Sequence, residues 1–310
     1  LCAVNGTTGE ILGETKISSD VDLVIKFINN AKKKANDPDV DVLTGYEAGC
    51  LGYSLYWQLQ AKDINCDILA PTTMQRSAKN KVVKNDRRDA RNIATNLSNG
   101  TYKSVYVPQD QDVEIKEYIR MMDDFKGEAK RVKQHINAYV LRLGHRYEKK
   151  SRWISAHIKW LKELELKDMY REILDEYLSQ LADLEARIER FQSKLEELSH
   201  EEAYEDKIGQ LRCLKGVDTS SAMVFHVEVS DFNRFPNAKA FASFCGLTPS
   251  EDSSGDKTKR LSITKQGNTH LRKTLIECSQ VLVRGTVGKK REENAIKTER
   301  TGCKGDRLCR

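Results

Sequence analysis

The sequence predicts an α/β N-terminal domain over residues 1–108, a long helical, coiled-coil middle over 109–200 and a mainly α C-terminal domain over 201–285, ahead of a polar tail at 286–310. Three observations carry this reading. Residues 1–91 alternate hairpin, helix, strand, helix, strand, helix, the order of an α/β layer. From Val113 to Leu198 the apolar residues recur every three or four positions, the period of helices. From Leu211 a glycine turn leads into a further helical run, in the manner of a helix-hairpin-helix.

Each element has its own signal. Leu1–Val4 and Glu10–Ile17 flank Asn5-Gly6-Thr7-Thr8-Gly9, and Asn-Gly is the strongest short hairpin signal. After Ser18-Ser19-Asp20, a helix is expected from Val21, Val24, Ile25 and Ile28 at helical spacing, closing on Lys32–Lys34. Val40–Tyr46 reads as a strand ending in Glu47-Ala48-Gly49, Leu51–Leu59 as a helix, and Cys66–Ala70 as a buried strand stopped by Pro71. The run Val113–Tyr147 reads as one long helix and Leu164–Leu198 as a second. The latter carries Tyr177, Leu181, Leu184, Ile188, Phe191, Leu195 and Leu198 at 4-3 spacing, a heptad seam. That seam suits either an antiparallel hairpin packed on itself or a dimerisation arm, because periodicity does not name the partner.

At 310 residues the chain is long enough for two domains. Its 52 Lys and Arg exceed its 46 Asp and Glu only mildly, so the case for a polyanionic partner rests on clusters at 76–91 and 257–273. Eight cysteines without C-x-x-C spacing, and no apolar leader before them, point to a reducing, cytoplasmic setting. No stretch approaches the roughly twenty apolar residues that cross a bilayer, so no membrane partner is expected. The chain opens at Leu1 inside a predicted strand, which suggests an N-terminally incomplete sequence, and Gly285–Arg310 is patternless, either disordered or not a natural C-terminus.

The chemistry concentrates in Lys84-Asn85-Asp86-Arg87-Arg88-Asp89-Ala90-Arg91. If this opens a helix, Asp86 and Asp89 share a face, and paired carboxylates can hold a divalent metal beside a phosphate backbone. The plain alternative is a solvated helix start, where Asp is favoured anyway. Glu47 sits at the carboxyl end of a strand, where α/β sheets carry functional groups, or is merely an exposed carboxylate. Together the three suggest a phosphoryl-transfer site of the RNase H kind. Further on, Lys215-Gly216 at the glycine turn can offer backbone N–H groups to a phosphate, or serve packing alone. Ser253-Ser254-Gly255, followed by Lys257, Lys259, Arg260, Lys265 and Arg272, suits a nucleophilic hydroxyl in a phosphate-binding loop, or an ordinary flexible one.

These landmarks resemble those of the DEDD-type insertion-sequence transposases, also described as bridge-RNA-guided serine recombinases. One block carries Tyr46-Glu47-Ala48-Gly49, Ala70-Pro71 and Lys84–Ala90; the other carries Leu214–Val217, Phe241–Pro249, Ser253-Ser254-Gly255 and Ile263–Asn268. The resemblance implies an RNase H-like domain contributing four acids, of which Glu47, Asp86 and Asp89 would be three, with the first Asp on an initial strand ahead of Leu1. It implies Ser254 as nucleophile, Mg²⁺ on the carboxylates, and a composite site built by different protomers of a dimer or tetramer. Arg87, Arg88, Arg91, Lys215, Gly216, Lys257, Lys259, Arg260 and Lys265 are expected to meet nucleic acid: the element ends and target DNA, and a structured guide RNA. Two rival classes remain: a metal-dependent junction-resolving nuclease in which water attacks, and an inactive DNA-binding remnant.

Overall fold

The computed structural model describes residues 1–18, 20–35, 40–75, 85–252 and 259–283, in two compact units that meet at Val107/Pro108. In the first unit, β1 (Cys2–Val4) and β2 (Ile11–Glu14) form the expected antiparallel hairpin. Its turn is held by Asn5, whose side chain accepts from the amides of Thr7 and Thr8 at 2.9 and 3.1 Å. Helix α1 (Val21–Ala35) packs on β2, and α2 (Ser54–Gln60) on β4. Strands β3 (Leu43–Glu47) and β4 (Asn65–Leu69) run parallel in register, Glu47 opposite Leu69.

Helix α3 (Asp86–Asn99) organises this unit. Asn85 caps it by accepting from the Arg88 amide at 2.9 Å, and Gly100 closes it with φ of 63°, a left-handed C-terminus that favours glycine. The helix packs against both β1 and β3, two strands of separate ladders. Its approach to β3 depends on Gly45, where a Cβ would stand 3.0 Å from Leu97 Cδ1 and 2.9 Å from the Asp67 carbonyl oxygen. Asn96 is 2 % exposed and saturated. It exchanges hydrogen bonds with the Gln75 backbone, donates to the Asn92 carbonyl and accepts from the Thr101 hydroxyl, pinning both loops that flank the helix.

The second unit begins with α4 (Asp110–Arg142), α5 (Ser155–Glu163) and α6 (Asp168–Ser199). Helix α5 is an addition to the sequence reading. It stops where the Arg171 guanidinium donates to the carbonyls of Leu161 and Leu164. The heptad seam of α6 meets α4 of the same chain, antiparallel. Leu174, Leu181 and Leu184 pack with Ala129, Val132, Ile136 and Val140, while Leu195 packs with Ile115, Ile119 and Met122. The hairpin packed on itself is thus the form the seam takes here.

The remaining helices gather round α8 (Thr219–Val229), which is buried along both its apolar and its polar positions. It touches α4, α6, α7 (Glu205–Arg212) and α10 (Thr269–Val283), so the helical middle and the C-terminal segment share one core instead of standing as separate bodies. A 3₁₀ turn at Phe232–Arg234 and α9 (Ala238–Phe244) follow. Next comes an antiparallel pair that the sequence reading took for loop, β5 (Pro249–Glu251) with β6 (Arg260–Ile263).

Candidate active site

The first turn of α3 carries Asp86, exposed, and Asp89, half-buried, three residues apart as the spacing predicted. Glu47 ends β3, half-buried. Among the described residues, no three His, Cys, Asp or Glu side chains come together as a metal-holding group, so these carboxylates do not form a three-ligand site by themselves. The donor set nonetheless suits Mg²⁺, which takes oxygen ligands and is commonly held by one or two carboxylates plus substrate phosphates.

A fourth acid near this helix went unnoticed in the sequence. Glu14, at the end of β2, accepts from Arg87 Nε at 2.8 Å and Nη2 at 2.6 Å, and from Arg91 Nη2 at 2.8 Å. Hydrogen bonds from Arg91 and then Arg87 hold its carboxyl down at about 2. Two of the arginines expected to meet nucleic acid are therefore engaged in tying α3 to the hairpin. Arg88 is exposed and is not part of the Glu14 pairing. A signal existed: Arg87 and Arg91 are four apart and share a face, which invites one common partner. What periodicity lacks is any way to name Glu14, more than seventy residues earlier.

In the second unit the two motif stretches Phe241–Pro249 and Ile263–Asn268 fold onto each other as the base of the β5–β6 pair. Lys265, exposed, donates its amide to the Gly246 carbonyl at 3.1 Å, and Thr264 to that of Thr248 at 2.9 Å. The glycines are demanded by closeness: a Cβ on Gly267 would stand 2.3 Å from the Phe244 carbonyl oxygen, and one on Gly246, with φ of 66°, 2.9 Å from Arg272 Nη1. Arg272 in turn donates to the Cys245 carbonyl at 2.9 Å, and burial pushes the Cys245 thiol up to about 11. Arg260 lies exposed on β6, paired across the ladder with Glu251, and Lys259 accepts at its carbonyl from Asp252. Ser253, Ser254, Gly255 and Lys257 lie outside the described residues, in the stretch of chain joining these two strands.

Asn268 links this base to the core. Its Oδ1 accepts from the Leu271 amide at 2.9 Å, capping α10, and its Nδ2 donates to Glu228. Glu228, on α8, also receives Lys116 Nζ at 2.9 Å and Arg120 Nη2 at 3.5 Å. At the glycine turn, Lys215 is exposed while Gly216, with φ of 87°, is pressed toward α10: a Cβ there would lie 2.6 Å from the Cys278 carbonyl oxygen. The start of α8 is capped by its own acid, Asp218 accepting from the Ser221 amide at 2.8 Å. Packing thus accounts for this turn without a phosphate.

Comparison with known proteins defines the class. A DEDD-type transposase profile of the IS110 kind matches residues 1–144, and the transposase IS116/IS110/IS902 family matches residues 209–293. The chain belongs to this family of insertion-sequence transposases. Among individual relatives it is 30 % identical over 238 residues to the transposase for insertion sequence element IS1533 of Leptospira borgpetersenii, covering 76 % of this chain and 67 % of that protein. It is 29 % identical over 267 residues to the y4qE protein of Sinorhizobium fredii, designated a transposase, covering 86 % and 65 %. The transposase for IS1111A of Coxiella burnetii is 22 % identical over 255 residues, covering 79 % and 69 %. The chain thus spans about two thirds of the length of these relatives. Among the described residues no helix is long and apolar enough to cross a membrane.

Proposed function

We propose that this chain cuts and rejoins DNA at the ends of an insertion sequence through a covalent serine–DNA intermediate. The observation that carries the reading is the pairing of two family matches in chain order, one spanning Glu47, Asp86 and Asp89 and the other spanning Ser254. The base built from Gly246, Gly267 and Asn268 supports it, because it anchors both ends of the segment that holds Ser254.

In the proposed step the Ser254 hydroxyl gives up its proton to solvent, its Oγ forms a bond to phosphorus, and the bond from phosphorus to one deoxyribose oxygen breaks. That oxygen leaves with a proton. The phosphoserine bond stores the energy of the broken one, so rejoining requires no nucleotide. Glu47, Asp86 and Asp89 are the carboxylates that would hold Mg²⁺ together with the substrate phosphate, and the ion would supply positive charge to the phosphoryl oxygens. Arg88, Lys215, Lys259, Arg260 and Lys265, all exposed, are among the cations that would meet the backbone. A guide RNA from the same element, and a dimer or tetramer that brings acids and serine together, belong to the same proposal and rest on the family resemblance.

The test is covalent capture of labelled element-end DNA, with and without the element's RNA. It uses the chain joined to the upstream segment that would supply the first Asp. Ser254→Ala should abolish the denaturation-resistant adduct and leave binding intact, since it removes one oxygen and no charge. Glu47→Ala or Asp86→Ala should block capture together with weaker Mg²⁺ binding. An adduct that survives Ser254→Ala overturns the assignment, and cleavage to free ends without any adduct favours the nuclease.

A further inference from the structure

A cationic surface of the second unit lies outside these motifs, in the loop between α4 and α5. Residues 142–152 carry Arg142, Arg146, Lys149, Lys150 and Arg152 against one acid, Glu148, and all five cations are exposed. Cations along the helices are used differently: Lys116 and Arg120 pair with Glu228, Lys133 with Glu185, Lys126 with Asp123. Arg146, Lys149, Lys150 and Arg152 have no such partner among the described residues; with Tyr147 and Glu148 they line an open cavity of about 580 Å³.

The loop is also braced from beneath. The Tyr147 ring lies 4.6 Å from His157 and 5.1 Å from Trp160, the Trp153 amide donates to His157 Nδ1 at 3.1 Å, and Lys133 sits over the Trp153 ring at 5.5 Å. His157 is lowered by its burial and then by the Arg152 charge, a sign of the local positive field. The buried Tyr147 hydroxyl has no hydrogen-bond partner among the described residues.

We propose that this basic loop is a second contact for the DNA backbone, set about one duplex turn from the β5–β6 hairpin. A surface of four cations against one acid on a braced loop suits a polyanion, and bracing lowers the conformational cost of engaging it. The spacing favours duplex DNA. Lys116 marks the level of Asn268, through Glu228, and the helical rise of about 1.5 Å per residue puts Leu143 roughly 40 Å further along α4. One turn of B-DNA is about 34–36 Å, close to that separation along α4, so a duplex running along the helix from the level of Asn268 would present its backbone again near the loop.

The proposal rests on the reading that the chain works on DNA, and the experiment separates the two. Fluorescence anisotropy of the full chain is measured on a duplex of roughly 30 bp, long enough to span both places at about 3.4 Å per step. The probe is DNA in one arm and RNA of equal length in the other, from 50 to 200 mM salt. Arg146→Gln, Lys149→Gln, Lys150→Gln and Arg152→Gln combined should weaken DNA binding. Should all four reach phosphates, the slope of log affinity against log salt should fall by about 3.6. Lys149→Gln with Lys150→Gln alone, both exposed, should lower it by about 1.8 with the fold untouched. An unchanged DNA slope in both variants, or a loss confined to RNA, overturns the proposal. A parent chain that binds no DNA at any salt would overturn the DNA reading as well, whereas parent binding with unaltered variants removes the loop alone.

Discussion

Replacing Glu228 by Gln should expose how the serine-bearing region is fastened to the helical core. The Glu228 side chain is 2 % exposed, with Lys116 beside it at 13 % and Arg120 at 38 %. Burial raises its carboxyl, but the Lys116 charge and the hydrogen bonds from Lys116 and Asn268 outweigh that, so the net shift is below the ordinary 4.5. Glu228→Gln keeps the volume and an acceptor for Asn268, yet leaves the Lys116 ammonium without its counter-charge. Breaking a buried pair from one side costs about 3–5 kcal/mol, and the partial exposure of Arg120 argues for the lower end, about 3 kcal/mol. With a urea slope near 3 kcal/mol/M, the unfolding midpoint should drop by about 1 M. Adding Lys116→Met removes the orphaned charge and should recover at least half of the loss. Acid titration gives a second reading. A carboxylate whose folded pKa is depressed contributes stability above its unfolded value, here near 4.5, and loses it as pH falls through the lower folded value. That acid-sensitive component should vanish in Glu228→Gln. A single-variant loss under about 1 kcal/mol, or strict additivity with Lys116→Met, would refute the reasoning.

Gly45→Ala should lower the melting temperature of the first unit, because the new Cβ would lie 2.8 Å from Leu69 Cδ1 and 2.9 Å from the Asp67 carbonyl. Overpacking of this kind costs about 1–3 kcal/mol, each worth roughly 4–8 °C in a domain of this size, and calorimetry that finds no shift would show the α3 contact to be loose. Leu184→Asp places a charge at a position 6 % exposed between α6 and α4, so helicity by circular dichroism should melt early, by at least about 3 kcal/mol. If instead the helices survive and only an oligomer dissociates in sedimentation, the seam faces another copy.

The elements most legible in the sequence are those whose evidence is local. The Asn5-Gly6 turn, the helix opening at Asp86 and the long period of α4 each depend on residues within a turn or two, and each is found within a few positions of its expected bounds. The β5–β6 pair escaped because its strands are three and four residues long and depend on two glycines that bring distant backbones together, a tertiary cause that composition reads as loop. Helix α5 escaped because nine residues between two long helices carry too little period, and its end is made by Arg171. At the candidate site, the placement of Asp86 and Asp89 on one turn followed from spacing. The engagement of Arg87 and Arg91 by Glu14 did not, since a charge run names no partner across the chain.

That last difference bears on which cations are available to a polyanion. Cations that stand beside a buried or braced acid hold the structure: Arg87 and Arg91 fasten α3 to β2, and Lys116 and Arg120 fasten α8 to α4. Spending them on DNA would release the carboxylates they neutralise, Glu14 with a pKa held at about 2 and Glu228 in the core, so affinity gained there would be offset by stability lost. Among the described residues, cations outside those pairings include Arg88 beside the paired aspartates, Lys265 at the hairpin base and those around Tyr147. Each is exposed, so each can meet a phosphate and release a counterion at no cost to the core. A mutational survey that counted every Lys and Arg alike would find the largest losses at the fastening residues and mistake unfolding for lost recognition; measuring the salt slope beside the midpoint separates the two, because only a phosphate contact changes the slope.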